Sequence, residues 1–355
     1  MPSGDLMEGS IPLQQKASGV ERGAPEAPGP RARVRLGVPK IATPPGTVLV
    51  GAACVGFVVV AAVISLITGA PFVLPTESVS PALGFNYAFP VAIGIGGYFL
   101  AQVFYRLVRR ARQPRSSWRA HLAWDGYFVV LFIVVIFVHF HIKMWVPIIN
   151  PELFDDTYYA IDNHLGVLLS VFGWLHSELV LFLPVADSLY QTGLLAMLIL
   201  AFWFHGFGGR VWHYHNLTSI ILVEIIGPLT YLIAPAVGPF IYESGPYAET
   251  TAAQQVMYQS FQGIRQYGVG WLNEHGGGYF TSPLAAMPSL HVAAGWVLTY
   301  YAIKARLVIA PVMLCVFGML IIDSIVLRWH YLIDIPMGLL LAVVTIGITN
   351  RVCRR

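Results

Sequence analysis

His330 and Asp334 stand four residues apart in the run Arg328-Trp329-His330-Tyr331-Leu332-Ile333-Asp334, where an apolar helix is due to begin. At i and i+4 on a helix, two side chains lie one above the other. A carboxylate so placed holds one imidazole nitrogen and leaves the other free to attack phosphorus. Thirty-nine positions earlier comes a second histidine, in Met287-Pro288-Ser289-Leu290-His291. Pro288 suits the first turn of a helix. Ser289 offers a hydroxyl, and the free N–H groups of that turn form an anion site. A phosphate held there would meet hydrogen-bond donors and a general acid, His291, with His330 as nucleophile on the facing helix.

The rest of the chain says where such chemistry is done. Only 11% of its residues are charged and 56% are hydrophobic, against about 25% charged in a soluble domain. A chain so poor in charge reads as an all-α integral membrane protein. The net charge of +3 is gathered into a few short basic segments, a topology signal rather than a nucleic-acid-binding surface. Residues 1–46 are Pro, Gly, Ser and Ala with scattered charge, and are expected to form a disordered cytoplasmic tail. The first long apolar run comes too late, and lacks a small-residue cleavage site, for a signal peptide. Cys54, Cys315 and Cys353 suggest free thiols.

Apolar windows of roughly 20 residues mark transmembrane helices. Eight are expected, at about 48–68, 85–107, 123–145, 180–204, 217–235, 287–303, 307–327 and 330–349. Basic residues precede the first span (Arg31, Arg33, Arg35, Lys40), crowd between the second and third (Arg106 to Arg119), and recur at Arg210, Lys304, Arg306, Arg351, Arg354 and Arg355. All of these fall on one side, so the positive-inside rule makes both termini cytoplasmic. Segments 69–84, 146–179 and 236–286 then lie outside, with both histidine motifs. Ionisable residues placed in a membrane are functional candidates because they are costly to bury. The segment 236–286 is too long for a connector and is expected to pack as short interfacial helices over the site.

The two motifs resemble the second and third signature motifs of the type 2 phosphatidic acid phosphatase superfamily. The wording Met-Pro-Ser-Leu-His with His-Tyr-x-x-Asp looks most like its inositol phosphorylceramide synthase branch. The resemblance implies a six-helix catalytic core over residues 120–350. Residues 47–119, with two added helices and a basic loop, and the basic end 351–355 flank it. It further implies His330 as a nucleophile forming a phosphohistidine, Asp334 as its orienting carboxylate and His291 as the acid for the leaving oxygen. Neither metal nor cofactor is required, because side chains and backbone N–H groups meet the developing charge.

The superfamily's phosphatases carry a lysine–arginine–proline motif, absent from 236–286, and an arginine six residues before the last histidine, where this chain has Ser324. Their absence favours transfer over hydrolysis. It leaves the phosphate clamp to Ser289 and Arg328, with Arg265 and Lys143 behind them. His139 and His141 read as a headgroup contact or an interfacial belt with Trp145. Asp155, Asp156 and Asp162 read as hydroxyl-binding residues or as a solvated, helix-capping face. His205, His213 and His215 read as a cytoplasmic headgroup-facing loop, since no cysteine or carboxylate in sequence completes a metal set.

The leading expectation is a cell-membrane lipid phosphotransferase with an extracytoplasmic site. It would move inositol phosphate, or a similar polyol phosphate, from a phospholipid donor to a lipid or polyol acceptor. A lipid phosphate or prenyl diphosphate phosphatase of the same superfamily is the alternative. A lipid transporter fits less well, because no internal repeat is visible.

Overall fold

The computed structural model describes residues 43–355 apart from residues 78, 83, 85, 87, 109–114, 183–185, 209 and 354–355. The expected tail up to residue 42, and several of the basic residues used for topology, lie outside the described residues. Among those described the chain is wholly helical, with no strand.

Its helices in order are α1 (Thr47–Thr68), α2 (Ala88–Val108), α3 (Arg115–Ile149), α4 (Asp155–His164), α5 (Gly166–Phe182) and α6 (Ala186–Gly208). They continue as α7 (Arg210–Tyr231), α8 (Ala248–Tyr267), α9 (Val269–His275), α10 (Leu290–Lys304), α11 (Ala310–Val326) and α12 (Asp334–Val352). Each of the eight apolar windows coincides for most of its length with a helix, with ends shifted by up to eight residues, and the window at 180–204 also takes in the end of α5. By length and composition, α1, α2, α12 and the stretch of α3 from Trp118 are long and apolar enough to cross a membrane. The apolar parts of α6 and α11 are shorter.

Where the sequence suggested a plain loop at 146–179, the chain forms α4 and α5, bent by 82° at their junction. The 17 residues of α5 are mostly apolar but include Ser170, His176, Ser177 and Glu178, and that length falls at the lower limit for a span. Of the segment 236–286, α8 is a full 20-residue helix rather than a short one.

Hydrogen bonds between distant segments define one end of the bundle. Asn150 Nδ2 donates to Leu232 O at 3.1 Å, which levels the ends of α3 and α7. Phe154 N–H donates to Pro235 O, Ala286 N–H to Ala236 O, and Thr76 N–H to Gly277 O. The turn after α1, the start of α4 and the segment that follows α9 therefore gather at this end of the bundle, together with the start of α10, while Leu332 N–H on Asp162 ties in the α11–α12 link. The described Arg106, Lys304, Arg306 and Arg351 sit at helix ends away from it.

The core lies where α6, α7, α10, α11 and α12 meet, around Val223, Val292, Ala293, Val297 and Leu320, all fully buried. Small residues let these backbones approach, as in other membrane bundles. Gly338 of α12 is the closest case: a Cβ there would stand 2.4 Å from the Ser289 carbonyl oxygen. That approach brings the first turns of α10 and α12, and so both motifs, together.

Candidate active site

His330 sits not on a helix but in the link between α11 and α12. Leu327 N–H closes α11 on Asp323 O, and Arg328 then turns the chain in the left-handed region at φ 62°. Trp329 and His330 both donate their N–H groups to Ser324 O, at 3.1 and 2.9 Å. Ser324, where the superfamily's phosphatases have arginine, thus holds the link by its carbonyl. Asp334 opens α12, and its Oδ2 accepts from His330 Nδ1 at 3.0 Å and from Tyr331 N–H at 2.9 Å. With Nδ1 held by Asp334, the attacking lone pair of the ring falls to Nε2. Burial and the Lys143 charge both favour neutral His330, against the Ala286 carbonyl, which favours the protonated form.

A second layer fixes the link from α4. Leu332 N–H donates to Asp162 Oδ1 at 2.9 Å, and Tyr331 Oη donates to Asp155 Oδ1 at 2.7 Å. Asp155 also accepts from the N–H groups of Val237 and Gly238, at 3.0 and 2.9 Å. Burial pushes the Asp162 carboxyl up to about 6 and raises that of Asp155, with these N–H groups opposing. Both carboxylates are nearly inaccessible. They are neither a solvated face nor free for a substrate hydroxyl: they clamp two loops of the site. Asp156 does stay exposed and accepts from Tyr242 Oη.

Ser289 caps α10, its Oγ accepting from Val292 N–H at 3.4 Å, and its own N–H donates to Asp334 O at 3.2 Å. The helix starts at Leu290, so Pro288 lies before the cap rather than in the first turn. The Ser289 hydroxyl is engaged in capping. His291 stacks on Tyr190 of α6, ring centroids 4.7 Å apart, and Tyr190 also packs against Trp329 and His330. Both histidines line one cavity of about 350 Å³.

Of the proposed phosphate-binding residues, the structure brings only Lys143 to this cavity. Its Nζ lies 5.5 Å from the Tyr231 ring centre, a cation–π contact. Arg328, whose backbone is left-handed, pairs with Glu243 and does not line the cavity. Arg265 is an exposed residue of α8, away from the cavity.

Of the ionisable lining residues, Glu224 was not assigned to the site from sequence, and His139 was left between a headgroup contact and an interfacial belt. Glu224 of α7 lines the cavity and stands 2.9 Å from His139 Nδ1 of α3. A single carboxylate within Leu222-Val223-Glu224-Ile225-Ile226 was the available signal. His139 is thus a cavity residue rather than a belt, while His141 packs internally, accepting from or donating to Val73 and Phe137 backbone groups. His205, His213 and His215 form no loop: they are buried in α6 and α7, with His213 Nε2 3.3 Å from Asp125. Among the described residues no group of three or more His, Cys, Asp or Glu is placed to hold a metal ion.

The arrangement is an oriented imidazole, a second imidazole on the same cavity, one ammonium and a His139–Glu224 pair, inside an apolar helical bundle. That defines a membrane-embedded site suited to covalent chemistry at an anionic centre. A family model for the PAP2 superfamily matches residues 160–348, more than half of the chain, and the chain belongs to this superfamily. Members are phosphatases or phosphotransferases acting on lipids in the bilayer. The match takes in His291, His330, Asp334 and Glu224, while His139, Lys143 and α1 to α3 precede it. Neither a curated protein nor a solved structure matches the chain.

Proposed function

We propose that this chain is a lipid phosphotransferase of the inositol phosphorylceramide synthase type, working through a phosphohistidine at the extracytoplasmic end of the bundle. His330 Nε2 attacks the phosphorus of a phospholipid donor. A P–N bond forms, the P–O bond to the diacylglycerol breaks, and His291 gives its proton to the departing alkoxide. An acceptor hydroxyl then attacks the same phosphorus and returns a proton to His291. Asp334 keeps the imidazole in the reactive tautomer and stabilises the cation formed on it. Lys143 supplies the charge for the non-bridging oxygens, in place of Ser289, Arg328 and Arg265. Arg106, Lys304, Arg306 and Arg351 lie at the opposite end, against Arg265 and Arg328 at the site's end, and that excess supports the sidedness.

One observation carries transfer over hydrolysis. Among the described residues lining the cavity, Lys143 is the only lysine or arginine, and Glu224 lies close enough to act on it. One cation beside one anion suits a diester donor with a single negative charge. A phosphate monoester dianion, the substrate of a phosphatase, asks for more positive charge. The deciding experiment offers the purified protein a phospholipid donor such as phosphatidylinositol, with and without a hydroxylated lipid acceptor, beside phosphatidic acid and a prenyl diphosphate. Headgroup transfer much faster than phosphate release supports the transferase. Rapid phosphate release without an acceptor supports the phosphatase.

A further inference from the structure

The cavity does not end at the histidines. Along α3 it is lined by Phe132, Ile136, His139 and Lys143, one helical stripe whose polar members sit at the histidine end. Along α6 it is lined by Tyr190, Leu194, Leu195 and Leu198, a stripe with the same polarity. With a rise of about 1.5 Å per residue, the α3 stripe runs roughly 16 Å down the helix and the α6 stripe roughly 12 Å. α3 and α6 hardly touch each other, so the space between them is a slot, polar at one end and apolar along its length.

The third wall is α2. Its Val91 lines the slot, and α2 precedes the stretch that matches the superfamily. From Gly94 onward α2 is fastened to α6: Trp203 Nε1 donates to Gly94 O at 2.8 Å and Gln102 Nε2 to Gly206 O at 3.1 Å. Tyr98 donates to Asp125 of α3 at 2.7 Å. Just ahead of this fastened part, Phe89 and Ile93 are 65% and 57% exposed on the outer surface. Val91 therefore stands at the margin between slot and surroundings.

A volume of about 350 Å³ is at the low end for a site holding a drug-sized ligand. A two-chain phospholipid cannot fit whole, so its chains must leave the cavity through an apolar exit. We infer that one hydrocarbon chain of the lipid substrate lies in the α2–α3–α6 slot and leaves it past Val91, which makes the added helix α2 a determinant of chain selectivity. This rests on the reading of the site as acting on a lipid. It explains why an element outside the matched family stretch is built against the cavity.

The test uses full-length protein in nanodiscs, with long-chain and water-soluble short-chain forms of the donor and, separately, of the acceptor. Val91→Trp fills the margin, and Ile93→Trp is a control of equal bulk on the outer surface of the same helix. Val91→Trp is expected to lower kcat/KM at least about tenfold for long chains, mainly through KM, and to leave short chains within about twofold. Ile93→Trp should leave both within about twofold. Which of the two lipids shows the effect identifies the one whose chain uses the slot. Equal loss on long and short chains, or no loss on either, overturns the inference. Independently of any variant, a donor or acceptor with a photoreactive group in mid-chain should label the peptide bearing Val91. Labelling confined to α8 would also overturn it. If the wild-type protein turns over no lipid of either length, the lipid reading itself fails, and this inference with it.

Discussion

Asp334→Asn separates what the carboxylate does by shape from what it does by charge. Asp334 is wholly buried, and its Oδ2 accepts from both His330 Nδ1 and Tyr331 N–H, while its Oδ1 has no partner. Asparagine has two ways to sit. With its oxygen at the Oδ2 position both hydrogen bonds survive and only the charge is lost. The difference between a charge-assisted and a neutral hydrogen bond is about 1–2 kcal/mol, or about 5- to 30-fold in rate. The amide nitrogen then lies unsatisfied at the Oδ1 position, at a similar cost. With the amide reversed, its nitrogen faces Nδ1 and forces the proton onto Nε2, which removes the attacking lone pair. A wrong tautomer costs about 10⁴-fold, or about 5.4 kcal/mol at 1.36 kcal/mol per decade. The unsatisfied amide lowers stability rather than rate, so the expected loss of kcat lies between about 5-fold, with the oxygen kept at Oδ2, and about 10⁴-fold, with the amide reversed. Purified protein at matched abundance and melting temperature, assayed with saturating donor and acceptor, gives the number. A loss under about threefold would mean that the carboxylate only braces the Tyr331 turn, and would refute the orienting role.

Other outcomes follow from the same geometry. Lys143→Met should lower kcat/KM by about 10²- to 10³-fold, as loss of a group that meets developing charge does, with Lys143→Arg partly active; unchanged kinetics would remove it as the phosphate clamp. Asp162→Ala leaves the buried Leu332 N–H without an acceptor, at about 1–3 kcal/mol, and should lower both melting temperature and kcat. Asp162→Asn keeps an acceptor oxygen and should restore most of each; equal damage by both would show that the charge, not the hydrogen bond, matters. With the native cysteines replaced, an impermeant thiol reagent should reach Glu274→Cys in intact cells and Lys304→Cys only after permeabilisation, and the reverse pattern would invert the topology.

Some of this was legible in the sequence, for physical reasons. Apolar windows of membrane length predict helices because backbone polar groups in lipid must bond internally, and each window coincides with one for most of its length. His330 and Asp334 were readable as a pair, yet not as two residues on one helix face: the contact is made across a turn that Ser324 O and Asp334 itself hold closed. Asp155 and Asp162 were unreadable as clamps, since their partners lie from 82 to 176 residues away. Arg328 looked like a phosphate ligand by its nearness to His330, but sequence distance does not give direction, and its side chain pairs with Glu243. Glu224 was readable and overlooked, although a lone carboxylate in an apolar helix is costly to bury.

The central claim is a covalent intermediate on His330. A donor labelled in the phosphoryl headgroup should be mixed with purified protein in the absence of acceptor, quenched in base, and digested for mass spectrometry. The expected result is an acid-labile, base-stable headgroup-phosphoryl adduct on the peptide bearing His330, lost in His330→Ala and discharged when the lipid acceptor is added. Steady turnover by the wild-type protein with no such adduct, or with the adduct on another residue, would contradict it.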